Sequence, residues 1–214
     1  MKSVMIPKER CITVESQDSV NKALDLLTKR EVDAIPVLED GMYEGIITRY
    51  GIYRRFFEGG TEKQEFLESM KVKDIAAYQE KYLQGNEAFE KTLLDLKNLP
   101  LLPVVDSRRR FLGVVTRYDV LEQFQSAFGV KKPGIRIAFT SLEAEGRLSR
   151  LAEIIQQYEE SVISIVTFDE SDKLVRRIVL KIEKKGNVEK FIQKLESSGF
   201  RILDIAEDHL PLPS

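Results

Sequence analysis

The stretch "GVVTRYDV", residues 113 to 120, has a near copy in "GIITRYGI", residues 45 to 52. Thr116, Arg117 and Asp119 stand together just before an apolar helical run, Val120, Leu121 and Phe124. A carboxylate there is the sort of group that holds a ligand. A helix N-terminus suits a phosphate because its unpaired N–H groups point outward, and Arg117 can add a charge-assisted contact. The same residues also form a capping box, with Thr116 as N-cap and Asp119 three residues in, and the two uses are compatible. The first copy keeps Thr48 and Arg49 but has Gly51 where the second has Asp119. It retains candidate phosphate contacts and lacks the carboxylate.

The duplication extends beyond these octets. "SVNKALDLL" from Ser19 matches "AFEKTLLDL" from Ala88, and "IPVL" at 35 to 38 matches "LPVV" at 102 to 105. Val20, Ala23, Leu24 and Leu27 recur at helical spacing, as do Phe89, Leu93 and Leu96 with one position missing. Short apolar runs ended by turn residues follow, then "YEGIIT" and "FLGVVT" as returning hairpin strands and a second helix. "CITV" at 11 to 14 and "KYLQ" at 81 to 84 suggest a short strand before each first helix. The unit is β-α-β-β-α, repeated over 1–62 and 63–129. The joint "YRRFFEGGTEKQEF", 53 to 66, carries aromatics expected to close the core or a dimer face.

After the break "GVKKPG" at 129 to 134 the pattern changes. Ile135, Ile137 and Phe139 alternate as a strand, and Leu148, Leu151, Ile155 and Tyr158 share a helical face. Strands at 161 to 168 and 174 to 183 are joined by the polar turn "DESDK". Val188, Phe191, Ile192 and Leu195 mark a second helix, and "FRILDI" closes as a strand. Residues 134–210 thus read β-α-β-β-α-β, a ferredoxin-like order, and the fold class is α+β.

Composition narrows the function. Lys plus Arg (33) nearly balances Asp plus Glu (35), which gives no net field toward nucleic acid or an anionic membrane. No apolar run is long enough for a signal peptide or a membrane span, so a cytoplasmic location is expected. Cys11 and His209, each the only one of its kind, cannot assemble a Cys/His zinc site. Cys11 is expected to be a small core residue and His209 a surface one. A P-loop, a GxGxxG stretch, a Gly-x-Ser-x-Gly elbow and a His-based acid/base pair are absent. A metal-assisted hydrolase would rest on carboxylates alone. The hairpin turn "SRRRF", 107 to 111, is a solvated turn or a polyphosphate contact.

On "IPV" followed by "GIITRYG", and "LPV" followed by "GVVTRYD", residues 1 to 129 resemble a tandem pair of cystathionine β-synthase (CBS) domains. Residues 134–210 resemble the ACT domain family in their topology and in Gly146 at the start of the first helix. Here the loop before that helix reads "EAEG", 143 to 146, where the family commonly has Asp-x-Pro-Gly. Glu145 would repel the carboxylate of an amino-acid ligand. The whole order resembles the bacterial acetoin-utilisation accessory protein family.

These resemblances imply a non-catalytic regulatory subunit or sensor, a homodimer, that binds AMP, ADP, ATP or a related adenosyl effector and has no covalent cofactor. They imply that Asp119 accepts hydrogen bonds from the ribose hydroxyls, a cis-diol that two carboxylate oxygens can match. Thr116 and its neighbours would approach the phosphate. The adenine would lie against Tyr82, Leu101, Leu102 and Pro103, with Tyr82 free to stack on it. Thr13 and Ile35 are the corresponding wall in the first repeat. Binding would be relayed through the 129 to 134 linker to the C-terminal domain or to a regulated protein. The other readings are a partner-binding module with vestigial sites and a carboxylate-metal hydrolase.

Overall fold

The computed structural model describes residues 4–60, 62–85, 92–142, 145–169, 175–186 and 188–208. The chain divides into two units, Met1–Leu121 and Glu122–Ser214.

The first unit opens with β1 (Ile6–Pro7) and β2 (Val14–Glu15), then α1 (Val20–Lys29), β3 (Ala34–Glu39), β4 (Met42–Thr48) and α2 (Arg49–Gly59). After α3 (Lys63–Ser69) come α4 (Thr92–Leu96), β5 (Leu101–Val105), β6 (Phe111–Thr116) and α5 (Arg117–Ala127), and α5 carries the chain across the unit boundary. Ser19 caps α1 by accepting from the Lys22 N–H. Val20, Ala23 and Leu27 are buried, and Leu24 packs at the edge of the same core. In the second repeat Phe89 lies outside the described residues. Leu93 is 37% exposed, and Thr92 and Leu96, four apart on one helical face, turn inward instead. At the joint, Phe66 is buried with its ring 5.4 Å from that of Phe56, which closes the first core, whereas Phe57 is exposed.

The two three-stranded sheets, β2-β3-β4 and β1-β6-β5, exchange their leading segments. β1 precedes the first repeat but pairs with the second, Ile6 opposite Val114 and Pro7 opposite Gly113. Reciprocally, Ala77 bridges Ile46 of β4. Neither contact was expected from the sequence, where only "CITV" and "KYLQ" stand out. Those two segments do lie beside β3 and β5, Val14 against Val37 and Leu83 against Val104. The exchange explains the glycine repeated in both octets. A Cβ on Gly113 would lie 2.2 Å from the Ile6 carbonyl oxygen, and one on Gly45 would lie 2.9 Å from that of Ala77. Only glycine lets the crossing backbone approach so closely.

The repeated arginine is also structural. The Arg49 Nη2 donates to the carbonyls of Leu27 (2.9 Å) and Val32 (3.1 Å), and Nη1 donates to Thr28 Oγ1 (3.3 Å). Arg117 Nε donates to the Leu96 carbonyl at 2.8 Å. Each arginine thus satisfies open carbonyls at the C-terminal end of its repeat's first helix, where a cation is favoured.

In the second unit, β7 (Gly134–Leu142), α6 (Arg147–Gln157), β8 (Val162–Asp169), β9 (Val175–Ile182), α7 (Val188–Ser197) and β10 (Arg201–Asp208) follow in the order β-α-β-β-α-β. The sheet runs β10-β7-β9-β8, with every neighbouring pair antiparallel. Ile135, Ile137 and Phe139 meet Leu151, Ile154, Phe191 and Leu195 in one core, with Ile155, Tyr158, Val188 and Ile192 at its edge. Leu148 is 49% exposed, because Ile154 takes the inward place on α6. Most of the turn "DESDK", together with Glu143 and His209, lies outside the described residues. The segment after α5 packs within this unit: the Phe128 carbonyl accepts from Ser164 Oγ (2.9 Å) and the Gly129 carbonyl from the buried Lys181 Nζ (3.0 Å).

Two outcomes follow. Gly113→Ala should destabilise the first unit by about 1–3 kcal/mol through overpacking, seen as an earlier denaturant midpoint, while Gly186→Ala, with open space around its Cβ, should leave that midpoint in place. Arg117→Met removes the donor to Leu96 and should cost about 1 kcal/mol by the same measurement.

Candidate functional site

At the start of α5 the Thr116 Oγ1 accepts from the Asp119 N–H at 3.1 Å, and Asp119 Oδ2 accepts from the Thr116 N–H at 3.2 Å and from the Thr116 hydroxyl. This is the reciprocal capping box. It fixes the carboxyl group against the first turn through Oδ2, while among the described residues Oδ1 accepts no hydrogen bond. Asp119 is part-buried, so Oδ1 is a fixed acceptor at a helix N-terminus and not a solvated tail. At α2 only half of the box survives: Thr48 Oγ1 accepts from the Gly51 N–H at 2.9 Å, and no side chain returns to Thr48.

Of the two expected phosphate contacts, Arg49 uses its terminal nitrogens on Leu27, Val32 and Thr28, whereas Arg117 donates through Nε to Leu96 and is otherwise exposed. The strands that carry the expected base walls run beside the caps: Leu101 is opposite Thr116 and Leu102 opposite Val115, and Ile35 is opposite Ile47, one residue before Thr48. Ile35 and Leu102, equivalent positions on β3 and β5, are at most 1% exposed, and Leu101 and Pro103 are buried beside Leu102. Strand alternation turns Ile35 and Leu102 into their cores. Thr13 lies near Leu38, Gly41 and Phe111, at the hairpin end of the strands. Tyr82 is at the matching end of the second repeat, its ring centroid 6.0 Å from that of Tyr43 and 5.1 Å from the Arg109 guanidinium carbon. The backbone next to Tyr82 runs along the middle of β5, Leu83 bridging Val104, while the Tyr82 ring meets Arg109 of the β5–β6 turn. Arg109 further donates to the Gln79 carbonyl (2.7 Å) and pairs with Glu80 (3.3 Å). It ties the turn to the 78–82 segment and is not a spare polyphosphate contact.

Two clefts collect polar groups. One of about 440 Å³ opens at the α2 N-terminus, where Thr48, Tyr50 and Tyr53 face Tyr78, Leu99 and Pro100 of the second repeat. Reading the octets as a Thr-Arg-x-Asp pattern passed over Tyr50, whose place directly after Arg49 was the available signal. The other cleft, about 480 Å³ in the second unit, lies beside Ser141, Glu145, Gly146, Arg147 and Arg176. Arg147 there donates to Ser141 Oγ and to the carbonyls of Ser198 and Gly199, and it lies over the Phe200 ring. Glu145 is exposed at its mouth. Cys11 donates its thiol to the carbonyls of Ile6 and Pro7, and burial pushes its pKa up. Among the described residues no cluster of His, Cys, Asp and Glu is placed to hold a metal, and no helix is long and apolar enough to cross a membrane.

Known proteins share this architecture. The crystal structure of the CbpB protein of Listeria monocytogenes in complex with c-di-AMP is 30% identical, with a TM-score of 0.52, covering 58% of this chain and 93% of that one. A CBS domain-containing protein of unknown function from Bacillus anthracis is 28% identical, with a TM-score of 0.52, over 58% of this chain and 91% of its own. Among curated proteins, the inosine-5'-monophosphate dehydrogenase of Methanocaldococcus jannaschii is 23% identical over 193 residues, 90% of this chain. The homoserine O-acetyltransferase of Methanosarcina acetivorans is 28% identical over 115 residues, 52% of this chain. The chain spans only 35% and 20% of the lengths of these two enzymes. The CBS domain model matches residues 1–58 and 72–126, one stretch for each repeat and together more than half of the sequence, and the chain belongs to the CBS domain family.

Proposed function

We propose that the protein is a non-catalytic sensor whose CBS pair binds an adenosyl nucleotide at the N-terminus of α5. The observation that carries this reading is Asp119, whose Oδ2 is fixed by Thr116 while Oδ1 stays open to a ribose hydroxyl. The complex of the Listeria relative with c-di-AMP supports an adenine-containing ligand. With Arg117 using only Nε on Leu96, the phosphate would rest on backbone N–H groups of the α5 N-terminus and on the exposed part of that guanidinium. The Gly51 cleft, lacking the carboxylate, is the weaker ribose site.

The second unit's topology supports an ACT-like regulatory domain, and Glu145 at the mouth of its cleft disfavours an amino-acid carboxylate there. Asp119 stands in the first turn of α5, and the carbonyls just past the end of that helix are held by Ser164 and Lys181. Ligand-dependent strain on the cap is therefore passed along α5 to the second unit, and from there to a regulated protein. The working form is a homodimer in the cytoplasm.

Titration calorimetry with AMP, ATP and c-di-AMP tests the site. Asp119→Ala should weaken the bound nucleotide about 10- to 100-fold, the loss of a charged hydrogen bond. An unchanged affinity in the folded variant would remove the ribose assignment. No saturable heat from any of the three with the wild-type chain would leave a partner-binding module with vestigial sites.

A further inference from the structure

α5 closes on a left-handed glycine. The Gly129 N–H donates to the Ser126 carbonyl (3.0 Å) and the Val130 N–H to the Gln125 carbonyl (2.9 Å), with Gly129 at φ +65°. This is a Schellman closure, which satisfies two of the helix's last carbonyls. The next two carbonyls turn to the four-stranded sheet: Ser164 Oγ donates to that of Phe128 at 2.9 Å, and Lys181 Nζ to that of Gly129 at 3.0 Å. Ser164 and Lys181 stand opposite each other on β8 and β9.

Strand alternation explains how a lysine comes to lie there. Ile135, Ile137 and Phe139 of β7 and Ile178, Leu180 and Ile182 of β9 face the core shared with α6 and α7. Ala138, Val179, Lys181 and Ser164 therefore belong to the opposite face of the sheet. All four are at most 8% exposed, and Lys181 is 2% exposed. The cap of α5 lies against that face. The Phe128 ring is 6.3 Å from that of Phe168, and a Cβ on Gly129 would lie 2.5 Å from Ile163 Cγ2. An ammonium suits the negative end of a helix, and a buried one is costly to separate from its acceptor.

We propose that Lys181, with Ser164 beside it, is a positioning residue that makes α5 a single lever: the order of its first turn at Thr116 and Asp119 and the order of β8 and β9 rise and fall together. What the lever reports rests on the reading of the α5 N-terminus as the nucleotide site. The coupling itself belongs to the chain and is present without a ligand.

A double-mutant cycle tests it in the full chain. Asp119 and Gly129 are about 15 Å apart along the helix, and substitutions more than about 7–10 Å apart are normally additive. Amide hydrogen exchange is followed at Val179, Leu180 and Lys181 of β9, with β10 as the reference for opening of the whole unit. Asp119→Ala should speed exchange at the β9 amides about two- to fivefold, up to the worth of a lost N-cap, and leave β10 unchanged. In the Lys181→Met background the same substitution should no longer change them. Equal acceleration in both backgrounds, or none in either, overturns the proposal, because a lysine that only stabilises the fold gives additive effects. Where circular dichroism shows Lys181→Met unfolded, Ser164→Ala takes its place in the cycle and should cut the acceleration by about half, one of two donors being gone; an undiminished acceleration there overturns the proposal equally. Calorimetry with AMP, ATP and c-di-AMP separates the two readings. Coupling in the cycle with no nucleotide heat removes the sensor site and keeps the lever, whereas Asp119-dependent heat with an additive cycle keeps the sensor site and removes the lever.

Discussion

The exchange of leading segments between the repeats is the constraint on which the first unit depends. Ile6 and Ala77 each pair with the other repeat's returning strand: β1 completes the second repeat's three-stranded sheet, and Ala77 adds a bridge at the edge of the first repeat's. The backbone contact needs the two glycines. It also sets where the ends of β4 and β6 lie, and therefore where α2 and α5 begin. Both helix N-termini are positioned by a contact made several residues away. The cost of a methyl group at Gly113 is a direct reading of how tight that contact is.

The motif Thr-Arg-Tyr is thereby resolved into separate tasks. Thr48 and Thr116 cap their helices, Arg49 and Arg117 close the C-terminal ends of α1 and α4, and Tyr50 and Tyr118 face solvent at 73% and 70% exposure. A charged side chain that hydrogen-bonds carbonyls at the end of a neighbouring helix both satisfies them and complements their partial negative charge. That explains a retained arginine without any ligand. It leaves the two arginines unequal, since Arg49 uses both terminal nitrogens on backbone and Thr28 while Arg117 uses only Nε.

Legibility from the sequence followed the range of the interactions involved. Periodicity gave α1 and the core of the second unit, because an amphipathic face is a local property. The Thr116–Asp119 box was readable for the same reason, since both members lie within one helical turn. The exchanged strands were not, because β1 is only two residues long and its partner is more than a hundred positions away. Leu93 stands exposed because its neighbour Thr92 turns inward, and Leu148 stands exposed in the first turn of α6, whose buried residues are Leu151 and Ile154. Tyr82 lies beside β5 as the repeat pattern indicated, but the partner of its ring was not legible, because Arg109 reaches it only when the β5–β6 turn folds back.

Asp119 serves two masters, and their magnitudes decide how it can act. A capping interaction contributes about 1 kcal/mol, and a hydrogen bond to a charged acceptor about 1.5–3 kcal/mol. A ligand hydroxyl that uses Oδ1 leaves the cap on Oδ2 in place, so binding adds to the order of the first turn of α5. A ligand that needs both oxygens must displace Thr116 and loosens that turn instead. Under the proposed ribose contact, the sign of the effect on α5 would be set by how the ligand meets one carboxylate. The carbonyls of Phe128 and Gly129, just past α5, accept from Ser164 and Lys181, so the far end of that helix is held by hydrogen bonds and is not left to fray.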